Sequence, residues 1–211
     1  MNKIVSGLGK FQDEVYPGHR ELFETLASGQ SPETLFITCS DSRIDPCMLT
    51  QTKPGEIFIC RNAGNIVPSY GDAIGGVSAT IEYAVLALRV KDIILCGHSD
   101  CGAMRALLSP QSVAHMPAVS AWLRHAESAR FTVQENHAHA SGADLVNAMI
   151  EQNVLAQLDN LRTHPAVAAR LAKGQLSLHG WVYEIGSGAV RAFDKPTASF
   201  MPLQTRMLAS A

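Results

Sequence analysis

Excess charge of either sign is missing from this sequence: 17 Lys and Arg against 19 Asp and Glu leave −2 over 211 residues, with no block of like charge. That balance gives no reason to expect nucleic acid or an anionic membrane as partner, and it suits a small or neutral ligand. Long apolar runs are missing too. The opening Met1-Asn2-Lys3-Ile4-Val5-Ser6-Gly7 has nothing like the apolar core of a secretory leader. No stretch is long and apolar enough to span a bilayer, and a cytoplasmic location is the expectation. Cysteine is sparse and odd in number, at five. Without an export signal this argues against a disulfide framework and towards metal binding or buried thiols. Repeats, low-complexity tracts and Pro/Gly/Ser linkers are absent, so a single domain over 1–211 is expected, with an N-terminal helical arm over about 1–30.

What is present is an apolar fraction of 46% against 17% charged residues, enough for one sizeable hydrophobic core. Ile4, Leu8, Phe11 and Val15 fall at helical spacing. Pro17-Gly18 is expected to end that helix. A second helix is predicted over 19–28, with Leu22, Phe23 and Leu26 on its apolar side. The rhythm then changes. Leu35-Phe36-Ile37, Ile57-Phe58-Ile59 and Ile93-Ile94-Leu95 are short apolar runs bounded by Pro32, Pro54-Gly55 and Gly97, and read as strands buried on both faces. Between the second and third, Val77, Ile81, Val85 and Leu88 share one face of a helix over 75–88. Further helices are predicted around 117–130 and 143–161. A strand near 176–184 turns through Gly186-Ser187-Gly188 into an antiparallel arm over 189–193. The fold class that follows is α/β: a mostly parallel central sheet with flanking helices, an N-terminal helical arm and a C-terminal antiparallel strand. Glu135-Asn136-His137-Ala138-His139 reads as a solvated loop, with no cysteine nearby and one carboxylate.

Two polar clusters follow predicted strands directly, where parallel sheets build their sites. One is Cys39-Ser40-Asp41-Ser42-Arg43, the other Gly97-His98-Ser99-Asp100-Cys101-Gly102. In the second, Gly97 would let the chain turn tightly out of the strand. Ser99 or Asp100 would cap a following helix, with Cys101 in its first turn, where the helix dipole favours a thiolate. His98 and Cys101 alone are a weak metal signal. With Cys39 from the neighbouring strand they make a set of two sulfurs and one imidazole that leaves a fourth position for water, the mark of a catalytic zinc site. Along an extended segment Cys39, Asp41 and Arg43 fall on one side. Arg43 can then hold the Asp41 carboxylate bidentately, either beside the metal or as a structural ion pair. Cys60 and Cys96 lie within strands and Cys47 starts a short helix after Pro46, and all three read as core thiols.

At these residues the sequence resembles the β-class carbonic anhydrases, in particular their plant-like branch and its bacterial members from cyanate-degradation operons. Arg61-Asn62-Ala63-Gly64-Asn65 adds a third matching motif, and the likeness extends from about Phe11 through His179-Gly180-Trp181-Val182-Tyr183. The resemblance implies that Cys39, His98 and Cys101 bind one Zn2+ with water or hydroxide fourth, and that Asp41 and Arg43 orient the hydroxide that attacks CO2. It further implies that Gln30 hydrogen-bonds substrate, that Phe58, Ala63 and Tyr83 line a small apolar pocket, and that the Gly102 amide points into the site. The activity implied is reversible hydration of CO2 to bicarbonate, in a homodimer or a dimer of dimers. Phe36 and Thr38 stand where a bicarbonate-regulated branch has Trp and Gly, so that regulation is not expected, while an Asp41-ligated closed state stays open. Hydrolysis of CS2 or carbonyl sulfide on the same fold, and a non-catalytic zinc-stabilised interaction protein, are the alternatives. A zinc deaminase would pair an H-x-E, as in His125-Ala126-Glu127, with a following P-C-x-x-C that this sequence lacks.

Overall fold

The structure is a computed structural model that describes residues 1–72, 75–137 and 139–203. It contains two compact units, Met1–Ser31 and Pro32–Ala211. In the first, the helix Asn2–Lys10 passes through Phe11–Val15 and Tyr16–Gly18 before a second helix, Arg20–Leu26. The first helical stretch thus ends at Gly18, as expected of Pro17-Gly18, and the non-helical His19 (φ −122°, ψ 16°) separates it from the second helix. Proline lacks an N–H and crowds the carbonyl of the preceding turn. Just before it the turn widens, the Tyr16 amide reaching back five residues to the Phe11 carbonyl, and the helical backbone ends one residue after the ring. Phe23 packs against Phe11 and Tyr16, with ring centroids 5.9 and 5.3 Å away.

The second unit is built on β1 (Thr34–Cys39), β2 (Ile57–Asn62), β3 (Asp92–His98), β4 (Ser177–Tyr183), β5 (Val190–Asp194) and β6 (Ser199–Pro202). They form one sheet in the order β2-β1-β3-β4-β5-β6. The first four run parallel, and β5 and β6 are antiparallel to their neighbours. The central strands are buried on both faces, as their unbroken apolar runs predict: Leu35, Phe36, Ile37, Ile93 and Leu95 are inaccessible. β2 is not. It is an edge strand, and Ile59 is 36% exposed while Cys60 faces the core. β6 and the helix Pro165–Ala172 were not anticipated. They have four and eight residues, too few to display a period.

One face of the sheet carries the main core, formed with residues of the helices Gly76–Glu82, Gly102–Leu108, Glu127–Asn136 and Gly142–Thr163. The other carries a smaller cluster of Phe36, Ile44 and Cys96, flanked by Leu49, Ile94 and Trp181. The helix expected around 117–130 is two, Pro117–Leu123 and Glu127–Asn136, joined by a tighter turn at Arg124–Ala126. The long helix Gly142–Thr163 presses unusually close to β3 and β4. A Cβ on Gly180 would lie 2.8 Å from Val154 Cγ1, and one on Gly97 would lie 3.0 Å from Val154 Cγ2. Gly97 is thus an interior strand residue that admits a helix, not the turn expected of it.

Candidate metal centre

β1 and β3 are adjacent, with Thr38 opposite Cys96, so both strands end at the same level. Cys39 closes β1 and His98 closes β3. Beyond His98 the chain turns through Asp100, whose φ is +56°, and Cys101 stands at the N-cap of the helix Gly102–Leu108. Contrary to expectation, neither Ser99 nor Asp100 caps that helix. The Ser99 hydroxyl instead accepts from the Ile185 amide at 2.9 Å, and the Asp100 carboxylate binds Arg43 and Arg105.

The donor atoms of Cys39, His98 and Cys101 lie within 4.8 Å of one another, and all three residues are buried. His98 Nδ1 lies 2.9 Å from the Ser99 carbonyl and donates to it, since that oxygen has no proton to give. Nε2 is therefore left with a lone pair, and it is buried without a hydrogen-bond partner. Such an orphan normally needs explaining, and a cation between it and the two sulfurs supplies the explanation. The sulfurs are tuned to match. A hydrogen bond from Cys101 outweighs burial and, helped by the Gly64 amide, holds the Cys39 thiol well below its ordinary range. Cys101 is pushed up because it keeps its proton in the hydrogen bond to Cys39, with burial and the negative charge on Cys39 adding to the effect. One proton is left between two sulfurs, a proton that a divalent cation would displace. Two thiolates and an imidazole suit zinc among the common divalent ions.

Asp41 borders this cluster, with Oδ2 3.8 Å from His98 Nε2. Arg43 grips it by three donors: the backbone amide and Nε to Oδ1, each at 2.9 Å, and Nη2 to Oδ2 at 2.7 Å. These contacts hold the carboxyl well below the usual carboxylate range. The pair forms within a turn and not along an extended segment, with the Ile44 amide donating to the Asp41 carbonyl. On its outer edge Arg43 binds the carboxylate and carbonyl of Asp100 at 3.0 and 3.1 Å, which ties the dyad to the loop carrying His98 and Cys101.

Several contributors gave no sign in the sequence beyond membership of a motif. Arg61 reaches from β2 to the carbonyls of Cys39, Asp41 and Ile44 at 3.0, 2.7 and 2.9 Å and so pins the loop after β1. A charged residue directly after the apolar run Ile57–Cys60 was the available signal. The Asn62 side chain closes the next turn by bonding both backbone groups of Ile66. Gly64 inside that turn has φ +80° and donates its amide to Cys39 Sγ at 3.3 Å. A Cβ there would sit 2.9 Å from Ala103 Cβ. Of the expected pocket residues, Ala63 adjoins Gly64 and Gly102 adjoins Cys101, both exposed. Phe58 and Tyr83 pair with one another, centroids 5.9 Å apart, with Tyr83 half exposed. Gln30 belongs to the first unit, in an exposed segment after the helix Arg20–Leu26.

The carbonic anhydrase family profile matches residues 34–190. Carbonic anhydrase 1 of Escherichia coli O157:H7 is 56% identical over 203 residues, covering 96% of this chain and 92% of the relative. Among solved structures, the β-carbonic anhydrase CcaA superposes with a TM-score of 0.95 at 48% identity, over 96% of this chain and 99% of that one. One of two tetrameric β-carbonic anhydrases from Sordaria macrospora gives 0.75 at 33% identity, over 90% and 92%.

Proposed function

The chain belongs to the carbonic anhydrase family and to its β class, and on that premise we propose that it hydrates CO2 reversibly at a zinc ion held by Cys39, His98 and Cys101. The observation that carries the reading is the buried, unpartnered Nε2 of His98 facing two sulfurs of which one is ready to ionise. When bound, the ion would acidify a coordinated water and make hydroxide available near neutral pH.

The chain's own groups do the rest. Cys39 and Cys101 carry the negative charge that neutralises the ion, and the amides of Met104 and Ala103 favour the Cys101 thiolate. The Ser99 carbonyl fixes the His98 tautomer. Asp41, ionised and held by Arg43, accepts a hydrogen bond from the nucleophile and so turns its lone pair towards carbon. Ala63, Gly102, Phe58 and Tyr83 offer apolar or backbone surface for CO2. No helix among the described residues is long and apolar enough to cross a membrane. A homodimer, or a dimer of dimers like the tetrameric relatives, is the assembly proposed. Ile4, Val5 and Leu8 in the first unit, and Tyr83 and Leu86 in the second, are more than half exposed and are available to partner copies.

The test is metal content together with stopped-flow CO2 hydration on one preparation, with light scattering for mass. About one zinc per chain and hydration well above the buffer rate are expected. A zinc-loaded protein without hydration activity would refute the reading.

A further inference from the structure

We propose that Trp122 is a positioning residue for the metal centre: its indole N–H holds the Ala63–Gly64 peptide so that the same peptide's N–H stays aimed at the Cys39 sulfur. The proposal rests on the metal-centre reading above.

A trans peptide is a rigid plane with its carbonyl and its N–H on opposite sides. In the plane joining Ala63 to Gly64, the carbonyl accepts from Trp122 Nε1 at 2.8 Å, and the N–H donates to Cys39 Sγ at 3.3 Å. One planar unit thus links the indole of a distant helix to a metal-ligating sulfur. The unit needs such a hold. Gly64 has φ +80° and no side chain, so its own backbone preferences do little to define the orientation of its peptides. The following peptide is held separately, by Asn153 Nδ2 donating to the Gly64 carbonyl at 3.0 Å. The two flanking planes are therefore clamped by two different helices, Pro117–Leu123 and Gly142–Thr163.

Trp122 is half buried, and its ring meets His125 edge-on at 5.6 Å. Filling that space would not require the N–H to meet a carbonyl. Indole nitrogen is a donor only, and hydrogen bonds in series polarise one another. Donation into the Ala63 carbonyl therefore makes the Gly64 amide a better donor to a thiolate. Trp122 acts through that peptide and touches no reacting atom.

The test compares the wild type with Trp122→Phe and with 3-benzothienylalanine at position 122, which keeps the ring area and loses only the donor. Zinc affinity is read by competition with a chelating dye. The Gly64 amide proton is read by NMR of nitrogen-15-labelled, metal-free protein. Both replacements are expected to weaken zinc binding about tenfold, as loss of an outer-shell partner does, and to move the Gly64 amide resonance upfield, while the melting temperature of the metal-free chain stays close to wild type. Affinity within twofold of wild type in a folded variant overturns the proposal. If Trp122→Phe does not fold, the isosteric replacement decides on the same two readouts. If the wild type itself binds no zinc, the metal-centre reading fails instead. In that case an unmoved Gly64 amide overturns the positioning role as well, and a moved one upholds it.

Discussion

In the proposed mechanism the chemistry turns on Asp41, which Arg43 fixes from one side and which borders the Cys39–His98–Cys101 cluster on the other. Asp41→Asn leaves the two sulfurs and the imidazole in place, so it is expected to retain zinc and to lose on the order of a hundredfold in kcat/KM. A fully active variant would remove Asp41 from the mechanism. Cys101→Ser should lose the metal itself, because a hydroxyl does not ionise at neutral pH and only two good donors remain. Zinc analysis after dialysis checks this. Cys60 lets a pH effect be predicted with its sign. Burial pushes its thiol above the ordinary 9.0, so the folded chain resists ionising it where the unfolded chain does not. The stabilisation is complete below pH 9 and lost as pH rises beyond it. Urea titrations at about pH 8 and 11 should show a smaller alkaline loss for Cys60→Ala than for wild type, and equal losses would contradict the assignment. The residues of the cluster were legible in the sequence because their two polar motifs stand directly after apolar runs. Arg61, Gly64 and Trp122 were not, because each contributes through a backbone group 20 or more residues away or through contacts across elements.

At the scale of elements, the helix Gly142–Thr163 organises both core and site. Its apolar stripe of Val146, Ile150, Val154 and Leu158 was visible in the spacing and is buried. Asn153 and Gln157 fall on the same helix face by the i, i+3, i+4, i+7 spacing and are also buried, although polar side chains of their type are mostly found at the surface. Together with Asn160 and Thr163 they bond the backbone of Gly64, Val67 and Tyr70, at 2.8 to 3.0 Å. A row of polar side chains thus replaces the ladder that this irregular loop lacks. The close seat of the helix depends on Gly180. Gly180→Ala would set a methyl 2.8 Å from Val154 Cγ1 and 3.0 Å from Leu158 Cδ1, and overpacking of that kind costs roughly 1–3 kcal/mol. Urea unfolding should show the loss. An unchanged midpoint would mean that the helix can shift without penalty. The edge position of β2 was likewise illegible, since an apolar run reports burial of its residues but not how many neighbours the strand has.

Over the whole molecule, the proposed ligands come from residues 39, 98 and 101, on two strands and a helix start, so a bound ion would cross-link distant parts of the chain. Removing it with a chelator is expected to lower Tm by several degrees, restored by added zinc, because an ion that binds only the folded state stabilises it by mass action. Scanning fluorimetry with and without chelator measures this. Two thiolates cancel the ion's charge, so coordinated water should be less acidic than in an all-histidine site, where its pKa is about 7. Hydration kcat/KM should accordingly climb with pH above neutrality, and a flat profile would count against it. The amino-acid order by itself determined the buried strands, the amphipathic helices, the closing hairpin and the identity of the sulfur and nitrogen donors, because each depends on side-chain type and local period. Only the tertiary structure decided that Arg43 bridges Asp41 to Asp100, that Trp122 and Asn153 clamp the turn at Gly64, and that Gly97 and Gly180 make room for a helix. Those facts depend on which distant surfaces meet, and that is settled by packing of the whole core and not by any one segment.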